Sequence, residues 1–300
     1  MSNQRPPTID PTTALRWAKQ LPAESPWLHE EVARRMESRL QWIARTPDRW
    51  LHWNPLRGGL QAHALLEARY PKSQAYAFQA EPKQAEVAKK VLQPRRWNPL
   101  VRRPPAVVFG PPERPVQMLW ANMALHMEAD PLATIRQWHQ SLEVDGFLMF
   151  SCLGPDTLRE LRGLYAANGW GAPSHEFTDM HDWGDMLVHS GFGEPIVDME
   201  RITLTYGSPE SLLAELRGLG RNLHPQRFGA LRGKSWLSEF KRQMPPHLAS
   251  PQEPGRLQLT FEVIYGHAFK PPPRLPVAGQ SRITLEEMRQ TLGAGKARPR

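Results

Sequence analysis

The stretch whose chemistry decides how the chain is read runs from Arg49 to Gly59, Arg-Trp-Leu-His-Trp-Asn-Pro-Leu-Arg-Gly-Gly. An apolar run, a Pro/Gly break and the helix-spaced residues Leu60–Tyr70 make a strand–loop–helix opening. Open α/β sheets hold nucleotide-like ligands beyond the carboxyl end of such a strand. A loop of that kind uses glycines to let the backbone approach the ligand, and an acidic side chain to accept from hydroxyls or an amine. Here the turn is Asn54-Pro55-Leu56-Arg57, Gly58 and Gly59 stand at the helix entrance, and His52 occupies the strand position where a carboxylate would be useful. At the end of the next strand a carboxylate can take both hydroxyls of a ribose. The residue there is Gln79, which accepts one bond and donates another. Glu81, two residues on, is either a substitute acceptor or a first-turn helix charge. These residues predict the architecture of a cofactor site with neutral groups in place of its usual acids.

Other chemistries are poorly served. The one cysteine, Cys152, ends an apolar run and reads as a buried thiol; it excludes an internal disulfide framework and fits a reducing compartment. His126, His139, His175, His181 and His189 have no spacing that puts two ligands on one helix face, so no metal site is expected. Met123 and Met127 read as core filler. A net charge of +8 and a pI near 9.9 favour an anionic partner. Arg95-Arg96, Arg102-Arg103, the Arg221–Arg232 stretch and the Lys296–Arg300 tail are nevertheless separate groups, not interleaved with aromatic residues on one element, so a nucleic-acid binder ranks last. With no 18-residue apolar run and a polar, Pro-rich start, no membrane segment is expected and the localisation is read as cytoplasmic.

The elements that must position these residues alternate. Strands are expected at Gln74–Phe78, Ala106–Phe109, Val116–Ala121, Phe147–Cys152, Glu194–Tyr206 and Leu257–Phe269. Helices are expected at Pro26–Trp42, Pro82–Leu92, Pro131–Ser141, from Pro155, within Phe177–Ser190, and at Ser208–Leu219 and Trp236–Met244, with a short one at Leu285–Leu292. Such alternation argues for a mostly parallel sheet between two helix layers.

The segment Leu153-Gly154-Pro155-Asp156-Thr157-Leu158-Arg159-Glu160-Leu161, directly after an apolar strand, resembles the biotin-pathway malonyl-acyl-carrier-protein O-methyltransferases, a class I S-adenosylmethionine-dependent family. Leu28-His29-Glu30-Glu31-Val32, Asn122-Met123-Ala124-Leu125-His126, Gly220–Arg227 and Leu259-Thr260-Phe261-Glu262 match in consistent order, so the similarity spans roughly residues 25–270. The resemblance implies an α/β, Rossmann-like class I methyltransferase sandwich. Its sheet would be seven-stranded and mostly parallel with the last strand antiparallel, and a helical cover would be inserted at 209–254. Residues 1–24 are then a flexible N-terminus, 25–270 the methyltransferase-like domain and 271–300 a Pro-rich, basic flexible tail. It also implies S-adenosylmethionine as cofactor, with His52, Asn54, Gly58, Gln79 and Asn122 at the cofactor positions. Only one glycine of the usual three survives, and Gln79 matches the ribose-holding acid.

On the acceptor side the resemblance implies a malonyl thioester on an acidic acyl carrier protein. Its carboxylate requires a cation, for which Arg suits best, so Arg221, His224 and Arg227 are the expected contacts, Arg227 first. Trp17 or Trp27 would replace the family's early aromatic residue. Methyl transfer to a carboxylate needs no general base, so no catalytic acid or base is expected. The alternative is a methyltransferase-fold protein that no longer binds the cofactor and serves as a binding or assembly partner. Two lost carboxylate acceptors at ~1.5–3 kcal/mol each would weaken cofactor binding by on the order of a hundredfold or more.

Overall fold

The computed structural model describes residues 9–22, 24–92, 105–273 and Glu286. Arg95-Arg96, Arg102-Arg103, the expected helix at 285–292, and residues 1–8 and 23 of the expected flexible segment 1–24 and 274–300 of the expected flexible tail 271–300 lie outside the described residues, Glu286 apart. In chain order the elements are α1 (Pro11–Ala18), α2 (Trp27–Arg39), β1 (Arg49–Trp53), α3 (Pro55–Gly58), α4 (Leu60–Arg69), β2 (Gln74–Phe78), α5 (Pro82–Leu92), β3 (Val108–Phe109), β4 (Val116–Ala121), α6 (Pro131–Ser141), β5 (Leu142–Leu153), α7 (Arg159–Ala167), α8 (Met180–His189), β6 (Gly193–Tyr206), α9 (Pro209–Leu219), α10 (Lys234–Leu248) and β7 (Leu257–Phe269).

The strands form one sheet in the order β3-β2-β1-β4-β5-β7-β6. Pairing is parallel from β3 to β5, and β7 runs antiparallel to both β5 and β6. This is the expected seven-stranded, mostly parallel sheet. Winding reverses between β1 and β4, so a crevice opens beyond their carboxyl ends, at Asn54 and Asn122. Side chains alternate across the sheet and build two cores. Trp50, Met118, Phe147 and Tyr265 pack with α2, α4 and α10 on one face; Leu51, Leu119, Phe150 and Ile264 pack with Trp138 of α6 and Trp183 of α8 on the other. Where β7 crosses β5, Gly266 pairs with Phe150, and a Cβ there would lie 1.9 Å from the Phe150 ring. Only glycine fits under that ring.

Three local expectations are corrected. Residues 11–18, assigned to a flexible N-terminus, form a helix. Asp10 caps it by accepting from Thr12 N at 2.9 Å, Pro11 opens it, and Ala14 and Trp17 pack against Leu223. A helix this short owes its stability to packing, which periodicity does not reveal. The turn Asn54–Arg57 is instead one turn of helix, because Asn54 takes the left-handed conformation (φ 52°, ψ 55°) and Pro55 then supplies a helical φ at the first position. Finally, α7 starts at Arg159 and not at Pro155, because Leu158 has φ 60°.

Candidate functional site

A cavity of about 490 Å³ lies at the reversal of winding, within the ~300–1,000 Å³ that small-ligand sites span. Its walls come from the loop after β1 (Asn54, Arg57), the end of β2 (Gln79, Glu81), the segment after β4 (Asn122–Asp130), His29 of α2, and α1 as a roof with Trp17. The roof is latched. Gln79 Nε2 donates to Gln84 Oε1 at 2.6 Å, and Gln84 Nε2 donates to the carbonyls of Ala18 and Gln20 at 2.6 and 2.9 Å. Arg57 donates to the carbonyls of Trp17 and Gln20 and lies 3.9 Å over the Trp17 ring. Burial and the nearby Arg221 charge pull its guanidinium down to about 10.

Among the described residues, the cavity wall carries acceptors with no partner. Asn54 Oδ1 and Gln79 Oε1 are buried and unpaired. His29 Nδ1 lies 2.6 Å from the Arg57 carbonyl, so it must be the N–H, and burial pulls the ring down to about 4, which keeps it neutral. The remaining nitrogen, Nε2, is then a bare lone pair, and it too lacks a partner. All three atoms belong to residues that line the cavity.

The sequence-predicted cofactor positions separate on inspection. Asn54, Gln79 and Asn122 line the cavity; His52 and Gly58 do not. His52 is buried with its Nδ1 3.2 Å from His63 Nδ1, and burial followed by the His63 charge drives its titration well down. Gly58 is small for packing reasons: a Cβ would meet the Asn122 carbonyl at 3.2 Å and His52 Nε2 at 3.3 Å. The Asn122 amide is committed to the protein, donating to the His29 and Gly58 carbonyls and accepting from Ser151 Oγ at 2.6 Å. That hub ties α2, the β1 loop and β5 together at the crevice floor. The sequence reading missed His29, Arg57 and Trp17 as a group, although Trp17 was one of two candidates for an early aromatic; the other, Trp27, is 58% exposed.

A second cavity, about 230 Å³ and mostly apolar, shares His126, Met127 and Leu219 with the first. Met127, expected as core filler, is thus part of the wall between them. Arg217 and Arg221 are the cations of this second cavity, with Leu158, Leu161 and Phe177 among its apolar sides. A third, about 530 Å³, shares Pro173, Ser174, His175 and Phe177 with it and reaches Arg162 and His224. Of the expected acceptor contacts, Arg221 and His224 therefore line adjoining cavities. Arg227, expected first, lines neither and pairs with Asp10 at 2.7 Å. Its charge is spent on holding α1.

Two matching motifs turn out to be halves of one clip. Glu262 Oε2 accepts from Asp156 N at 2.6 Å, Thr157 Oγ1 exchanges bonds with the Glu262 backbone, and Glu160 accepts from Thr260 N and Oγ1. Gly154 is required because a Cβ would sit 2.8 Å from Glu262 Cδ. The clip fixes the approach to α7, and with it Leu158 and Leu161. Burial drives the Cys152 thiol far upward, consistent with an inert core residue. Among the described residues no group of three side chains could hold a metal, and no helix is long and apolar enough to cross a membrane.

No protein-family model matches the chain. It is 36% identical over 254 residues to a Laribacter hongkongensis protein named malonyl-acyl-carrier-protein O-methyltransferase, covering 82% of this chain and 84% of that one. A protein of the same name from Gallionella capsiferriformans is 34% identical over 274 residues, covering 85% and 88%. Among solved structures, the YcgJ protein of Bacillus subtilis superposes with a TM-score of 0.51 at 14% identity over 81% of this chain and 99% of that one. A Bacillus halodurans protein named as a candidate methyltransferase does so with 0.51 at 15%. The fold is the class I methyltransferase sandwich. The chain belongs to the malonyl-acyl-carrier-protein O-methyltransferase family.

Proposed function

We propose that this protein binds S-adenosylmethionine in the cavity at the carboxyl ends of β1, β2 and β4 and transfers its methyl to the free carboxylate of a malonyl thioester on an acyl carrier protein. The observation that carries this reading is the pair of adjoining cavities with a common wall of His126, Met127 and Leu219: one lined by residues that carry unpartnered acceptors, the other more apolar and flanked by arginines. The acceptors fit the cofactor, whose ribose hydroxyls and amino groups are donors. When bound, the cofactor supplies an electrophilic methyl on a sulfonium.

The chain's own contribution is binding and orientation. Asn54 Oδ1, Gln79 Oε1 and His29 Nε2 would accept from the ligand, and α1 would keep water from it. Arg221 and Arg217 would hold the acceptor carboxylate in the second cavity. That carboxylate is already ionised at neutral pH, so no residue has to remove a proton. His126, on the shared wall, is held neutral by burial and adds no charge to repel a sulfonium. The basic chain suits an acidic carrier partner.

The competing reading, a scaffold without cofactor, predicts a filled cavity. Pro55 and Leu56 are buried and do not line it, and of the Asn54–Arg57 segment only Asn54 and Arg57 do. Incubation with malonyl-acyl-carrier protein and methyl-labelled S-adenosylmethionine tests the proposal. Label on the carrier is expected, lost in Arg221→Met; no label with wild-type protein overturns it.

A further inference from the structure

Neutral acceptors satisfy hydroxyls and amines but do not balance a positive charge. With His52 in the core and Gln79 neutral, the ends of β1 and β2 bring no anion to the cavity in the positions the fold ordinarily uses. The wall contains three acids at other positions, Glu81, Glu128 and Asp130. Asp130 is already employed as the cap of α6, accepting from Ala133 N at 3.0 Å. Glu81 immediately precedes α5 and serves as a charge near that helix's N-terminus.

Glu128 differs from both. It follows the single 3₁₀ turn Leu125–Met127 that leaves β4, and its backbone N donates to the Leu125 carbonyl at 3.1 Å, so its Cα is fixed against the cavity. Among the described residues its carboxylate has neither a hydrogen bond nor an ion pair. The one arginine on the same wall, Arg57, is turned to the Trp17 and Gln20 carbonyls. Burial, with Asp130 beside it, pushes the Glu128 carboxyl up to about 7. A half-buried carboxylate without a counter-ion is costly, and a cationic ligand would relieve that cost.

We propose that Glu128 is the anionic partner of the ligand's positive charge, a binding residue that stands in for the acids missing from the ends of β1 and β2. This rests on the cofactor reading above. It also explains why that cavity can accept a cation while lacking the usual carboxylates: the charge has moved from the strand ends to the segment after β4.

Isothermal titration of the full chain with S-adenosylmethionine and with S-adenosylhomocysteine tests it, using wild type, Glu128→Gln and, as a control, Glu113→Gln, an exposed acid outside the cavity lining. Glu128→Gln should weaken S-adenosylmethionine by about tenfold or more, the scale of one charge-assisted bond, while Glu113→Gln stays within about twofold. A loss confined to S-adenosylmethionine assigns Glu128 to the sulfonium; a loss for both ligands assigns it to the ammonium they share. Unchanged binding of both ligands by Glu128→Gln overturns the proposal and leaves the methyltransferase reading standing. No binding of either ligand by wild type overturns both. The substitution is nearly isosteric and removes an unpaired carboxyl, so its melting temperature should equal or exceed that of wild type, which separates lost binding from lost folding.

Discussion

The clip between the approach to α7 and β7, and the cavity beyond β1, β2 and β4, are built from opposite treatments of polar groups. In the clip, Glu160, Thr157, Thr260 and the Glu262 carboxylate all find partners within the chain. In the cavity, Asn54 Oδ1, Gln79 Oε1 and His29 Nε2 are buried and find none. A buried polar group left unpaired costs about 1–3 kcal/mol, so the first arrangement is what a structural joint needs and the second is what a ligand site awaits. Of the five motifs that made the family recognisable, two form the joint, and the other three, with His29, Asn122 and Arg221, border the cavities. Motif matching alone therefore does not tell a structural joint from a ligand site.

That contrast can be broken by acid. His29 and His63 ordinarily titrate near 6.5, and both are pulled down to about 4 by burial. Below pH 6.5 the unfolded chain binds protons that the folded chain refuses, so the stability these two rings carry is present above 6.5 and lost as pH falls towards 4. At pH 5 the loss should be about 2 kcal/mol for each ring, read from urea midpoints at pH 7 and 5, with His29→Gln flattening the slope. A flat wild-type profile would mean that the cavity side is not built on neutral imidazoles.

The joint can be broken by one methyl. Gly154→Ala forces a Cβ against the Glu262 carboxylate and should cost about 2–3 kcal/mol in a urea titration at constant m-value. A loss below about 0.5 kcal/mol would show that the joint gives way freely, and the contrast with the cavity would blur. On the cavity side, Gln79→Glu restores a two-point acceptor at the end of β2. S-adenosylmethionine affinity should rise by about tenfold, even though the bond from Gln79 to Gln84 is lost. Unchanged affinity would mean that this strand end does not meet the ribose.

The smallest effect is expected at the roof. The Thr13 hydroxyl and then Arg227 hold the Asp10 carboxyl at about 2. Asp10→Ala removes both the cap of α1 and the Arg227 pair. Trypsin should then cut faster after Arg16 and Lys19, with only a slight fall in melting temperature. Cleavage at the wild-type rate would show that α1 is held by Trp17 and the Gln84 latch alone.

Much of the fold was legible because strands and helices of this chain obey their own periods. The edges of β2, β4 and β7 agree with the apolar runs Gln74–Phe78, Val116–Ala121 and Leu257–Phe269. The site was legible only in part. Asn54, Gln79 and Asn122 could be named because a sheet's reversal of winding puts strand ends at the crevice. His52 could not be recognised as a core residue, since its neighbour His63 lies on the following helix and meets it only after folding. Arg227 looked like the acceptor's cation because nothing in the sequence tells that Asp10, 217 positions away, reaches it first.

The amino-acid order alone determined the alternation of strands and helices, the apolar cores and the neutral character of the strand-end positions, because these depend on local spacing and side-chain type. Tertiary structure decided which polar atoms are paired and which are left bare, because pairing depends on groups brought together across the chain. That is how α1 came to roof the cavity, how Asn122 became a joint, and how Glu128 came to line a hollow with no ion pair among the described residues.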